Sequence, residues 1–449
     1  MKENKTIPYI VIIIILSIIL AILWYLIINN KTNNSNIKDN NIDNRMDNKS
    51  SSISYSASKE ITSDSEITEG EYKSENKDEN AILVTGNIKT SLSNIMVLKT
   101  GDSDGGDNTS FYGTNSAIIA KDGATLNIKD ATISTSATGA NGVFSYGGSA
   151  TTSNTKSDGT TINISDSTIT TTKDNSGGIM TTGGGVMNAT NLTISTSGIS
   201  SAAIRSDRGG GTVVVSEGVY TTTGKGSPVV YSTADITVKN AKLVAKASEG
   251  LIIEGKNSIT IEDCELEDTN NTLNGQSTTY KNIFIYQSMS GDADTGLAKF
   301  SSKDSKITTN NGDTIYVTNT KASIVLENNE FINNDSNGNF IRIQKDSWGK
   351  SGSNGGDVEL KLINQEVKGD IVVDSISNLS MNLTIDSYYK GAINSNNDAK
   401  EITLKLDKSS KIKLTGDSYV TSLEDEDSDY SNIDLNGYKL YVNGKELKK

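Results

Sequence analysis

From Ala81 onward the chain repeats one arrangement of apolar and polar positions. A short apolar entry leads into a turn. A run with every second residue apolar follows, then a polar pair and one more apolar residue. One copy reads Thr161-Ile162-Asn163-Ile164-Ser165-Asp166-Ser167-Thr168-Ile169, and another Asp235-Ile236-Thr237-Val238-Lys239-Asn240-Ala241-Lys242-Leu243. A third is Ser258-Ile259-Thr260-Ile261-Glu262-Asp263-Cys264-Glu265-Leu266. An apolar spacing of two is the strand period, so alternate side chains face a core. The closing apolar residues are Ile133, Ile169, Ile194, Val219, Leu243, Leu266, Ile307, Phe331 and Val367. They recur with a base period of about 24 residues, lengthened three times by insertions, as in a solenoid. The pattern predicts an all-β parallel solenoid over 81–423, with about three short strands per coil. A stack of β-sandwiches is the alternative and needs units of roughly 100 residues; no such period is visible.

In a solenoid, inward positions form columns. The residue after the polar pair is small at Ala131, Ser167, Ala241, Cys264 and Ser305. Cys264 therefore reads as a core substitute for Ala or Ser. The entry strands also align. They include Val143-Phe144-Ser145-Tyr146, Ile204-Arg205-Ser206-Asp207, Val230-Tyr231-Ser232-Thr233 and Ile252-Ile253-Glu254-Gly255. Ile283-Phe284-Ile285-Tyr286, Ile315-Tyr316-Val317-Thr318 and Ile341-Arg342-Ile343-Gln344 follow. First and third positions are expected to point inward, second and fourth outward. The outward flank then carries Phe144, Tyr146, Arg205, Asp207, Tyr231, Phe284, Tyr286, Tyr316, Arg342 and Gln344, with Trp348 in an adjoining insertion. Aromatic faces beside directional hydrogen-bonding groups suit sugar recognition. Rungs about 4.8 Å apart also approach the repeat of an extended polysaccharide. Two other readings stay open: an inserted loop covers the column, or it is a protein–protein surface. Trp348 is either a sugar platform or a clamp for its own loop.

The amino terminus differs. After a leader, 1–6, residues 7–28 are almost uniformly apolar and uncharged, long enough to cross a hydrocarbon core of about 30 Å as a helix. Trp24 and Tyr25 lie near its outer end, and Lys2 and Lys5 precede it. This predicts a single-pass cell-membrane anchor with the N-terminus inside and the solenoid extracellular. A cleavable signal peptide is the rival reading, but no small-x-small pattern follows Ala21. Residues 29–80 are rich in Asn, Ser, Asp, Lys and Glu, and read as a disordered polar stalk. At the other end, 424–449 reads as an acidic loop and a capping hairpin turning at Asn436-Gly437.

Composition narrows the chemistry. A net charge of −13 argues against nucleic acid as a partner. The absence of histidine removes Ser-His-Asp and Cys-His catalysis and histidine metal sites. One cysteine excludes an internal disulfide. Gly183-Gly184-Gly185 and Gly209-Gly210-Gly211 lack the lysine and helix of a phosphate loop and read as tight stacked turns. Asp102, Asp104 and Asp107 offer alternating oxygens suited to Ca²⁺, the one cofactor the sequence suggests.

Phrases such as Ala124-Thr125-Leu126-Asn127-Ile128-Lys129-Asp130-Ala131-Thr132-Ile133 resemble the right-handed parallel β-helix proteins of the pectin-lyase-like superfamily. The closest resemblance is to adhesin-like and carbohydrate-binding surface members. It implies a right-handed single-stranded parallel β-helix and a polysaccharide or cell-surface glycan as partner. Enzymes of the superfamily imply a second activity, polysaccharide lysis or hydrolysis, built on clustered carboxylates and a basic residue. Arg205-Ser206-Asp207-Arg208 is the stretch similar to such a site, and Asp207 is the one carboxylate expected on that face. A structural role in the cell envelope is the third expectation.

Overall fold

The computed structural model describes residues 53–103, 106–148 and 156–448. The leader 1–6, the apolar run 7–28 and stalk residues 29–52 lie outside them, as does Asp104. No helix among the described residues is long and apolar enough to cross a membrane.

Ser54–Lys449 is a unit of stacked parallel strands with a short helix, Asp107–Tyr112. The entry strands form one 12-stranded sheet, running from Ala57–Ile61 through Val143–Tyr146 and Asp313–Thr318 to Ile371–Val373. The other strands of most coils form a 22-stranded sheet. Each strand pairs with its copy one coil later, as Ile162 does with Leu126 and Met187. This all-β, parallel arrangement is compatible with a parallel β-helix.

The polar pair is a corner. Its second residue takes a left-handed conformation at Asp130, Asp166, Asn240, Asp263 and Asp304, with φ between 48 and 52°. Asn and Asp tolerate that region better than other residues with a Cβ. The chain turns there in one residue, and the small residue that follows is buried. The small column is also hydrogen-bonded: Ser167 Oγ accepts from Ala131 N, and Ser305 Oγ from Cys264 N, both at 3.0 Å. Cys264 is a core residue, 2 % exposed. The glycine triplets are stacked turns, Gly184 N donating to Gly210 O at 3.0 Å. A Cβ on Gly211 would lie 2.3 Å from Gly185 O.

Four expectations are corrected. The expected stalk ends too late: Ala57–Ile61, Ser65–Ile67 and Gly70–Ser74 already form a coil, paired with Asn80–Thr85, Lys89–Ser93 and Ile95–Lys99. Its inward residues Ile61, Ile67 and Tyr72 are few, and Lys, Glu and Ser between them mask the alternation. Val219 is not a core position. It is 42 % exposed, and Tyr220 stacks between Ile194 and Leu243: two apolar residues stand side by side here, and the second of them takes the inward position. In the next coil but one, Leu251 rather than Ile252 occupies the first entry position, pairing with Val230 and Ile283. Finally, the antiparallel hairpin joins Leu440–Val442 to Lys445–Glu446 and turns at Asn443-Gly444, whereas Ile433–Asp434 stacks in parallel on Lys411–Leu414. The acidic stretch is a folded turn: Asp427 Oδ2 accepts from Ser431 N at 2.8 Å.

Candidate functional site

The cross-coil register aligns Phe144, Met180, Arg205, Tyr231, Ile252, Phe284, Tyr316 and Arg342 in one column on the outer flank. The expected exposure is not found. Phe144 and Tyr316 are fully buried and Phe284 is 3 % exposed. Large aromatic surfaces gain about 25 cal/mol per Å² on leaving water, and the insertions that lengthen the repeat supply the cover.

At the amino-terminal end the helix Asp107–Tyr112 lies over the column. Tyr112 meets Tyr146 edge-on at 5.7 Å, and Thr182 Oγ1 donates to Phe111 O at 2.7 Å. The helix stops at Gly113, φ 71°, where a Cβ would sit 2.7 Å from the Phe144 ring. Arg208 lies 4.1 Å over the Phe111 ring and reaches back to Asp292 Oδ1 at 2.5 Å. At the other end, Asp346 and Trp348 come down from the insertion after Gln344. Tyr316 donates its hydroxyl to Asp346 Oδ2 at 2.8 Å, and Gln344 Nε2 donates to that hydroxyl at 3.1 Å. Arg342 is held by Asp313 Oδ2 at 2.5 Å. Beneath lies Lys281, fully buried, with Nζ 4.3 Å over Phe284 and 4.8 Å over Tyr316. Burial pushes this ammonium below its ordinary pKa.

Between the two covers the column stays partly open. Ile252, Phe284 and Tyr316 form an apolar cluster apart from the main core, with Tyr231, Tyr286 and Trp348 packed on it. Phe284 and Tyr286 stack at 4.4 Å, and Trp348 tilts onto them at 5.2 and 5.3 Å. A cleft of about 230 Å³ opens here, walled by Arg205, Tyr231, Glu249, Phe284, Tyr286 and Trp348, with Asn274 and Ser277 at its rim. Trp348 is thus both a clamp on its neighbours and a wall of the cleft.

A buried polar network fixes the walls. Glu254, 1 % exposed, accepts the hydroxyls of Tyr231, Tyr286 and Ser288. Burial raises its carboxyl above the ordinary value, against those three hydrogen bonds. Arg205 Nη2 donates to Asp207 Oδ2 at 2.7 Å and Nη1 to Ser200 O at 3.3 Å. Asp207 also accepts from Arg208 N at 2.9 Å. Burial, opposed by Arg205, takes the Asp207 carboxyl up to about 6, and the charges of Asp292 and Glu254 push the same way.

Of the expected site residues, Arg205, Tyr231, Phe284, Tyr286 and Trp348 line the cleft and Asp207 stands behind Arg205. Phe144, Tyr146, Tyr316, Arg342 and Gln344 are not among its walls. Sequence reasoning missed Glu249 and Glu254. The triplet Leu251-Ile252-Ile253 has no unique starting point, so a slip of one residue hid Glu254 from the outward column. Asp207 is also not the lone carboxylate of this face, since Glu254 and Asp292 lie near enough to affect it. Of the proposed Ca²⁺ ligands, Asp104 lies outside the described residues, Asp102 Oδ1 accepts from Thr138 N at 2.7 Å, and Asp107 opens the helix. Among the described residues no group of three or more Cys, Asp and Glu side chains is placed to hold a metal. A second groove, of about 460 Å³, runs beside Gly209–Gly211. It has no aromatic wall, and its Lys256 is paired with Asp294 at 2.7 Å.

Fold and site therefore define an all-β protein of stacked parallel coils with an aromatic cleft on one flank. Comparison with protein-family models, curated proteins and solved structures gives no match.

Proposed function

We propose that this protein is a glycan-binding surface protein: a right-handed parallel β-helix of the pectin-lyase-like kind, held at the cell membrane by residues 7–28. The observation that carries the reading is the cleft itself. Trp348, Tyr231 and Tyr286 give flat apolar faces, while Arg205, Asn274 and Ser277 give directional polar groups at the same opening. Its volume of about 230 Å³ is below the roughly 300–1,000 Å³ of drug-sized sites, which suits one sugar ring or a chain end. An extended polysaccharide along the whole column does not fit this reading, because the column is roofed on both sides of the cleft.

Binding is preferred over cleavage on a specific ground. Glycosidic hydrolysis needs two carboxyl groups flanking the scissile bond. Glu254 and Asp207 are buried, and their oxygens are engaged by Tyr231, Tyr286, Ser288, Arg205 and the Arg208 amide. The test is a glycan array probed with the full-length chain and with Trp348→Ala. Retention on a defined set of glycans, lost in the variant while its circular dichroism is unchanged, supports the proposal. Equal retention of both proteins removes the cleft as the site.

A further inference from the structure

Glu249 is the wall of the cleft that the fold does not account for. Its side chain lines the opening, yet the residue is only 4 % exposed. Oε2 accepts from Ser248 Oγ at 2.8 Å, and among the described residues no hydrogen-bond donor reaches Oε1. Buried carboxylates are costly unless they are paired or fully hydrogen-bonded.

The neighbouring cations compensate Glu249 only in part. Arg205 is neutralised by Asp207 and held by the Ser200 carbonyl. Lys281 donates to Ser277 Oγ at 2.5 Å and Thr279 O at 2.8 Å and forms no ion pair with Glu249 among the described residues; its charge is felt by Glu249 first but is shared with Asp346 and Asp313. The cleft therefore holds one under-compensated negative charge beside aromatic faces. An aromatic wall with an adjacent carboxylate attracts a cation, through the ring quadrupole and through direct charge. The net charge of −13 acts in the same direction at long range and disfavours polyanionic chains.

Resting on the glycan-binding reading above, we infer that the cleft selects a sugar bearing a protonated amine, with Glu249 receiving the ammonium and Trp348 and Tyr231 covering the ring. The ligand class is an amine-bearing aminosugar at a chain end, rather than an N-acetylated sugar or a uronate. Acetylation removes the charge and a positively charged donor, leaving Glu249 Oε1 without one. A uronate brings a second carboxylate against the first.

The test uses the full-length chain in detergent and three tetrasaccharides: glucosamine, N-acetylglucosamine and galacturonate. Calorimetric titration should give at least tenfold tighter binding of the glucosamine tetramer than of either other. Glu249→Gln, which preserves shape, should reduce that preference to less than threefold with an unchanged melting temperature. The wild-type comparison stands alone if the variant does not fold. Equal or tighter binding of the acetylated or acidic tetramer overturns the inference. So does tetramethylammonium binding as tightly as the glucosamine tetramer, since the sugar would then contribute nothing. If neutral glycans bind through Trp348 regardless of Glu249, glycan binding survives and selection for an amine fails. If no glycan binds, both fail.

Discussion

Tyr231 donates its hydroxyl to Glu254 on the next coil, and Tyr286 on the coil after that donates to the same oxygen at 3.1 Å. One buried carboxylate thus ties three consecutive rungs, and through Ser288 it also fastens the loop that carries Asp292. The network holds the aromatic walls in place, so its integrity and the shape of the cleft rise and fall together.

Removing the carboxylate tests this. Glu254→Ala leaves three buried donors without their acceptor. A buried unsatisfied polar group costs about 1–3 kcal/mol, and a loss of at least 2–3 kcal/mol in urea unfolding is expected. Tyr231→Phe removes one donor and should cost about 1.5–3 kcal/mol, the range for a hydrogen bond to a charged group. Limited proteolysis of Glu254→Ala should cut first within 287–296.

Stability should depend on pH in an unusual direction. The Asp207 carboxyl stands at about 6 in the folded chain against 3.8 ordinarily. The folded state therefore binds more protons than the unfolded chain between those values, so stability falls as pH rises through about 4 to 6. Two units correspond to about 3 kcal/mol, an order-of-magnitude figure for a buried group. Glu254 is raised as well and acts with the same sign. The opposite case is Asp427, held below the ordinary value chiefly by Ser431; its contribution is lost below about pH 4. Denaturation at pH 5 should need more urea than at pH 7.5, and Asp207→Asn should flatten the difference.

Much of the coil was legible from the chain. The spacing of two in Ile162–Ile164 and Val238 identified strands, and the corner at Asn240 or Asp263 was visible as a polar pair before a small residue. Alternation also selected the right flank for Tyr231 and Phe284. What could not be read was cover. Whether a rung faces water depends on where inserted loops return, and no periodicity encodes the descent of Trp348 onto Phe284 or of Phe111 onto its flank. Register was lost where apolar residues stand side by side, at Leu251-Ile252-Ile253 and at Val219-Tyr220. The first described coil was hidden because its inward apolar residues Ile61, Ile67 and Tyr72 are few and stand among Lys, Glu and Ser.

The corners make their own prediction. Asn240, with φ 52°, should accept glycine with little change. Asn240→Val forces a β-branched residue into the left-handed region and should cost about 1–2 kcal/mol. Melting temperatures of the two variants provide the comparison.

Cys264 should behave as buried packing. Burial raises its thiol above the ordinary value, and Sγ lies 3.2 Å from Glu262 O. Ellman's reagent should leave it unmodified in the native chain and react after denaturation. Cys264→Ala should stay within about 1.5 kcal/mol of wild type, whereas Cys264→Leu overpacks the column and should cost about 1–3 kcal/mol.

The chain has two tryptophans, Trp24 and Trp348. In a Trp24→Phe background the emission reports Trp348 alone, the residue that walls the cleft. Titration with oligosaccharides retained on the array should produce a saturable shift in that emission, at the concentrations at which they bind. Glycan binding that leaves the Trp348 signal untouched would contradict the account.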